Sequence, residues 1–131
     1  MNGIYHDLVI NCSIEELYAT ISTPKGLNIW WTKSSEGEAA MGNTYRFYFA
    51  PEYDWYGEVI GLSETHISYR MTQADEDWTG TEISFRIISE NEGKQLMRFE
   101  HIKWKEINDH FRTTSFCWAS YLTTMKTYLE H

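Results

Sequence analysis

The chain is short of positive charge. Its 131 residues carry 11 Lys and Arg against 19 Asp and Glu, for a net charge of −8. Nucleic acid needs a clustered basic face, and anionic membrane surfaces attract one, so this balance argues against both partners. Only two cysteines occur, Cys12 and Cys117, too few for a disulfide scaffold. The opening MNGIYHDLVI lacks the basic and apolar parts of a leader. No apolar run approaches the roughly 18 residues needed to cross a bilayer. Together these absences point to a cytoplasmic protein with reduced thiols. Histidines stand at 6, 66, 101, 110 and 131 and form no H-x-x-x-H spacing; the cysteines form no C-x-x-C. His110 and Cys117 lie two helical turns apart, too far for one metal without another ligand group. With no Gly-rich phosphate loop, nucleotide motif or Ser nucleophile elbow, the sequence calls for neither a metal nor a cofactor.

What the chain has in plenty is rings. Six Trp, nine Tyr and six Phe make 16% of the residues. Large rings fill a core, and they also line apolar pockets. The length suits one domain with one core spanning 1–131. The closing Leu129-Glu130-His131 matches the start of a purification-tag scar as well as a native end, so His131 carries no argument.

The order of elements follows from periodicity. Residues 4–11 form a strand. Ser13-x-x-Glu16 is a capping box that opens a helix with Ile14, Leu17, Tyr18 and Ile21 at helical spacing. Thr23-Pro24 opens a second short helix, with Leu27, Trp30 and Trp31 on its apolar side. From about 35 to 104 the period is two, with strands over 44–50, 55–62, 66–71, 81–88 and 95–104. One face of each is apolar, as in an antiparallel sheet wet on one side. Glu58 and Glu100 alternate outward with Arg46, Arg86 and Arg98, where cross-strand charge pairs suffice to explain them. Asp75-Glu76-Asp77 reads as a solvated loop. From 108 to 129 the helical period returns, with Phe111, Ser115, Trp118, Leu122, Met125 and Leu129 in one stripe that must lie on the sheet. The sum is β, α, α, about six β, then a long α. The fold class is α+β: a curved antiparallel sheet wrapped around a long C-terminal helix, with two short helices after the first strand. A pocket tends to survive between sheet and helix.

Several of these residues carry a resemblance. Ile10-x-Cys12, Leu17-Tyr18, Thr23-Pro24 and Trp30-Trp31 are similar, in spacing, to the opening of the family named after the activator of the heat-shock chaperone ATPase. That is the AHSA-like branch of the START/polyketide-cyclase (SRPBCC) superfamily. Met41-Gly42-Asn43-x-Tyr45, Gly57-x-Val59, His101, Trp118 and Lys126-x-Tyr128-Leu129 fit later family positions. Two departures stand out: Cys117 where the family often has Gly before the helix Trp, and His101-x-Lys103 where it often has His-x-Gly. The resemblance implies the helix-grip fold and suggests a stress-response, chaperone-cofactor role. It fixes no function, because the fold serves carriers, cyclases, hydrolase-like enzymes and cofactors.

Candidate site residues follow from strand and helix parity. Trp30, Phe47, Phe49, Tyr69, Phe85, Phe99, Trp118 and Leu122 converge inward, and Trp55 suits a cavity mouth. His101, inward beside Met97 and Phe99, suits one polar contact to a ligand. Cys117 is a conceivable partner for His101, or a small buried thiol. The first expectation is non-catalytic binding of a small hydrophobic or aromatic molecule. The alternatives are a protein-interaction module with a chaperone or other protein partner, and a cyclase or hydrolase using His101. The sequence sets no oligomeric state.

Overall fold

The computed structural model describes residues 2–131, the side chain of Glu90 excepted. Strand β1 (Asn2–Ile10) leads into helices α1 (Ile14–Ser22) and α2 (Pro24–Trp30). Strands β2 (Ser34–Glu36), β3 (Thr44–Ala50), β4 (Tyr53–Ser63), β5 (His66–Gln73), β6 (Glu82–Asn91) and β7 (Lys94–Trp104) follow, then helix α3 (Asp109–Leu129). All strand pairs are antiparallel, in the order β1-β7-β6-β5-β4-β3-β2. The α+β arrangement read from periodicity, a curved sheet around a long C-terminal helix, is the observed one, and it is the helix-grip fold that the resemblance implies. The three-residue β2 is too short to show alternation and has no range in the periodicity, but it completes the six strands expected after the helices.

Local chemistry fixes the helix ends. Ser13 Oγ accepts from the Glu16 amide at 3.1 Å and Glu16 Oε1 accepts from the Ser13 amide at 3.3 Å, closing the capping box. Thr23 Oγ1 accepts from the Gly26 amide at 3.0 Å, with Pro24 at the first position of α2. Gly26 lies against α1 so closely that a Cβ would collide with the Ala19 carbonyl and Thr20 Cα. Asn108 caps α3 by accepting from the Phe111 amide at 2.8 Å.

The last carbonyls of α1 have no intrahelical donor. Core aromatics supply three. Trp30 Nε1 donates to Thr20 O at 3.0 Å, the Tyr69 hydroxyl to Ile21 O at 3.2 Å, and the Tyr45 hydroxyl to Ser22 O. The two short helices are thereby pinned to the sheet by ring tips, which explains why these core positions are Tyr and Trp rather than Phe.

Strand β7 breaks its own alternation. Asn2 faces Trp104 and Gly3 faces Ile102, so Lys103 is an extra residue with no partner on β1. Its φ of 69° is the left-handed conformation that glycine adopts most readily at such bulges. Strict alternation would turn Lys103 inward with His101. The bulge instead turns Trp104 inward, its ring 5.0 Å from that of His101, and leaves Lys103 exposed with Nζ 2.8 Å from Glu82 Oε2.

Helix α3 buries Thr114, Trp118, Leu122, Met125 and Leu129; Ser115, placed in the stripe by spacing, is only half-buried. Its end is tied to β1 by Lys126 Nζ donating to Val9 O at 2.6 Å, and by the Asn11 amide donating to Glu130 at 2.9 Å. On the wet face Arg46 pairs with Asp54 and Glu36, and Arg98 with Asp7. Glu58 and Glu100 are not their partners, because the register sets Arg46 opposite Tyr56 and Arg98 opposite Asp7. No helix among the described residues is long and apolar enough to cross a membrane.

Candidate functional site: a ring of aromatic side chains at one end of the sheet

A cleft of about 260 Å³ opens between the β3–β4 hairpin, the β5–β6 loop, the end of α2 and the first half of α3. Five rings close on one another around it. Trp31 lies 5.5 Å from Phe49, Phe49 5.1 Å from Trp55, Trp55 4.7 Å from Trp78, Trp78 5.9 Å from Trp118, and Trp118 5.2 Å from Trp31. Tyr53 flanks Trp55 and Tyr121 flanks Trp118, both substantially exposed at the rim. Thr113, Thr114, Cys117 and His110 complete the lining from α3.

The residues singled out by parity divide into two groups. Phe49, Trp55 and Trp118 line the cleft. Trp30, Phe47, Tyr69, Phe85, Phe99, His101 and Leu122 are at most 3% exposed and pack beneath it. Phe99 lies 4.5 Å from Trp118 and 5.3 Å from Phe85, while Phe47 lies 5.3 Å from Tyr69 and 4.8 Å from Trp31. These rings form the floor and the core below it. Trp31, Tyr53, Trp78, His110, Thr113, Thr114 and Tyr121 line it without having been selected by parity, as does Cys117, which the sequence raised only as a partner for His101. Trp78 is the instructive case. It follows the Asp75-Glu76-Asp77 run, yet its side chain is 6% exposed and supplies one member of the ring. A tryptophan ending a polar loop was the available signal.

His101 is fully buried and both ring nitrogens are engaged. The Trp118 indole donates to Nδ1 at 3.0 Å, so that nitrogen carries no proton. The proton therefore sits on Nε2, 2.8 Å from Thr81 Oγ1, and the Thr81 hydroxyl donates onward to the Trp78 carbonyl at 2.6 Å. Burial first, and nearby His110 second, push its pKa down to about 3. A neutral histidine here aligns Trp118 and ties it, through Thr81, to the loop carrying Trp78. No pair with Cys117 forms, because both nitrogens are taken. The carboxylate or phenol partner that a catalytic His101 calls for is replaced by an indole and a hydroxyl.

His110 lies at the cleft wall, with Nδ1 3.0 Å from Asp77 Oδ2, and Asn108 Nδ2 donates to the same carboxylate at 3.4 Å. These contacts fasten the β5–β6 loop to the start of α3. Both cysteines are free thiols; burial raises the Cys12 pKa to about 11, which makes it inert. No group of three His, Cys, Asp or Glu among the described residues is placed to hold a metal. The indole nitrogens of Trp78 and Trp104 are buried without a hydrogen-bond partner among the described residues.

An open antiparallel sheet gripping a C-terminal helix, with two short helices roofing one end, defines a helix-grip protein. The family model for activator of Hsp90 ATPase homolog 1-like proteins matches residues 11–130, and the chain belongs to that family. Its fold is similar to the solution structure of the Aha1 dimer from Colwellia psychrerythraea, at 30% identity and a TM-score of 0.88 over 99% of this chain and 97% of that one. It is also similar to protein MLL2253 from Mesorhizobium loti, at 14% identity and a TM-score of 0.83 over 96% and 95% of the two chains. CalU16 from Micromonospora echinospora, at 14% identity and a TM-score of 0.77, aligns over 96% of this chain and 73% of its own. The last two likenesses concern the fold alone. No curated protein matches the sequence.

Proposed function

We propose that this protein binds a small aromatic or apolar molecule in the cleft, without catalysis. The observation that carries the reading is the closed circuit of Trp31, Phe49, Trp55, Trp78 and Trp118 around a space of about 260 Å³. The volume lies just below the roughly 300–1,000 Å³ of drug-sized sites, so the ligand is a single ring or a short chain. Phe49, Trp55 and Trp118 make the wall, and the Tyr53 and Tyr121 hydroxyls supply polar contacts at the rim. Trp30, Phe47, Tyr69, Phe85, Phe99, His101 and Leu122 act from below, by holding the wall in place.

The catalytic alternative is weakened by the state of His101, which is neutral and has no free nitrogen to offer a substrate. A protein-interaction role draws support from the family and from the dimeric Colwellia relative. Here it would use Phe116, 76% exposed on α3. The free thiols and acidic charge suit the cytoplasm. The test of the binding reading is saturable uptake of a single-ring aromatic probe, read on the indole N–H signals and lost in Trp55→Leu while the protein stays folded. Uptake that is absent, or unchanged in Trp55→Leu, overturns it.

A further inference from the structure

Resting on that binding reading, we propose that the cleft selects an organic cation: a small aromatic or alkyl ammonium compound. Two independent features point the same way. The first is the wall. Four indoles and Phe49 form the circuit, and electron-rich rings of this kind attract a cation to their faces. No Lys or Arg lines the space; its single basic member, His110, is held by Asp77. A positive ligand therefore meets an indole-rich wall with no lining Lys or Arg to compete, while a carboxylate ligand would meet no Lys or Arg partner there.

The second is the mouth. Three of the four segments that shape it carry Glu52 beside Tyr53, Asp75 and Glu76 before Trp78, and Glu106 and Asp109 just ahead of His110, while the fourth, the end of α2, leads to Lys33. Glu52, Glu76, Glu106 and Asp109 are exposed and Asp75 half-exposed, and none of the five has an ion-pair partner among the described residues. Lys33, Lys105 and Arg112 are the cations on or next to the four segments, fewer than the five unpaired carboxylates. Excess negative potential at the rim of a low-dielectric cleft draws in cations and repels anions of the same size. The proposal needs both features. Rings alone would take neutral and cationic ligands alike, and acidic loops alone would bind nothing in particular.

The experiment is an NMR titration reading the indole N–H signals with three probes of one size: phenyltrimethylammonium, its neutral isostere tert-butylbenzene, and benzoate. The expected result is saturable binding of the cation with a dissociation constant at least about tenfold below that of tert-butylbenzene, and no binding of benzoate. The advantage of the cation should shrink about threefold in D75N/E76Q and again on raising salt from low to high, with the neutral probe unchanged. Both loop changes keep the Asp75 backbone carbonyl that accepts from Trp78 and Thr79, so the fold is retained. Equal or tighter binding of tert-butylbenzene or benzoate overturns the cation proposal and leaves the binding reading standing. Failure of all three probes, against a protein with dispersed signals, overturns both.

Discussion

Acidification should weaken this protein through one residue, His101. Its folded pKa is about 3, because burial first, and nearby His110 second, disfavour the imidazolium; the Trp118 indole also occupies the nitrogen a second proton would need. The unfolded chain has an ordinary histidine, near 6.5. The folded state thus refuses a proton that the unfolded state takes up, and stability falls as pH drops below about 6.5 and continues to fall toward 3. The slope is about 1.4 kcal/mol per pH unit, so the loss between pH 7 and pH 5 is about 2 kcal/mol. That is a large share of the roughly 5–15 kcal/mol that holds a typical domain together. Urea unfolding at pH 7, 6 and 5 measures it, with His101→Gln as the reference. The variant starts lower by about 1–3 kcal/mol, since it disturbs a satisfied buried network, but it should lack the extra slope. His66, whose pKa burial also lowers, and the paired carboxylates Asp7, Asp54 and Glu130 titrate in both proteins and cancel in the comparison. Equal slopes in the two proteins would show that His101 is not held neutral by its surroundings, and the assignment of its network would fall with it.

Other expectations follow from the same structure. Trp118→Phe keeps a ring in the wall but strips the donor from His101 Nδ1; the buried acceptor left behind should cost about 1–3 kcal/mol by chemical denaturation, and a change under about 0.5 kcal/mol would contradict the hydrogen bond. Tyr69→Phe removes the donor to the Ile21 carbonyl and should cost about 1–2 kcal/mol, with amide exchange accelerated in α1; unchanged exchange there would refute the pinning role. At position 103, Gly should be more stable than Ala by about 1 kcal/mol, because both lose the exposed pair with Glu82 and Ala alone keeps the left-handed strain; the reverse order in thermal melts would count against the bulge. Gly26→Ala should destabilise by about 3 kcal/mol or more, because the added carbon meets α1 backbone that cannot move aside; near-native stability would disprove the close crossing of α1 and α2.

The fold was legible where chemistry is local. The Ser13–Glu16 box and Thr23-Pro24 mark helix starts by hydrogen bonds made within four residues, and strand alternation records a sheet with one wet face. What escaped was set by geometry across the sheet. The bulge at Lys103 turns Trp104 inward, and no periodic rule announces it; the departure from glycine at that position marked the place without revealing its consequence. The site shows the same limit. Parity says that Phe47, Phe85 and Phe99 point inward, and they do, but it cannot say how high along the strand the side-chain layer stops meeting atoms and starts meeting space. Only the three-dimensional arrangement separates floor from wall. Trp78 was hidden for a different reason: it belongs to no periodic element and reaches the ring from a loop whose acidic neighbours read as solvated.

The central claim is that the ring of aromatics encloses a ligand site rather than a core defect. Native mass spectrometry of the freshly purified protein tests it most directly, run beside Trp55→Leu, which removes one ring of the wall and none of the hydrogen-bonding groups of the His101 network. The account predicts a fraction of the wild-type protein carrying one extra small molecule, released at mild activation and missing from Trp55→Leu. A folded wild type that shows only its bare mass, and gains none when offered the aromatic probes, would contradict it and leave the five rings as an imperfectly closed core.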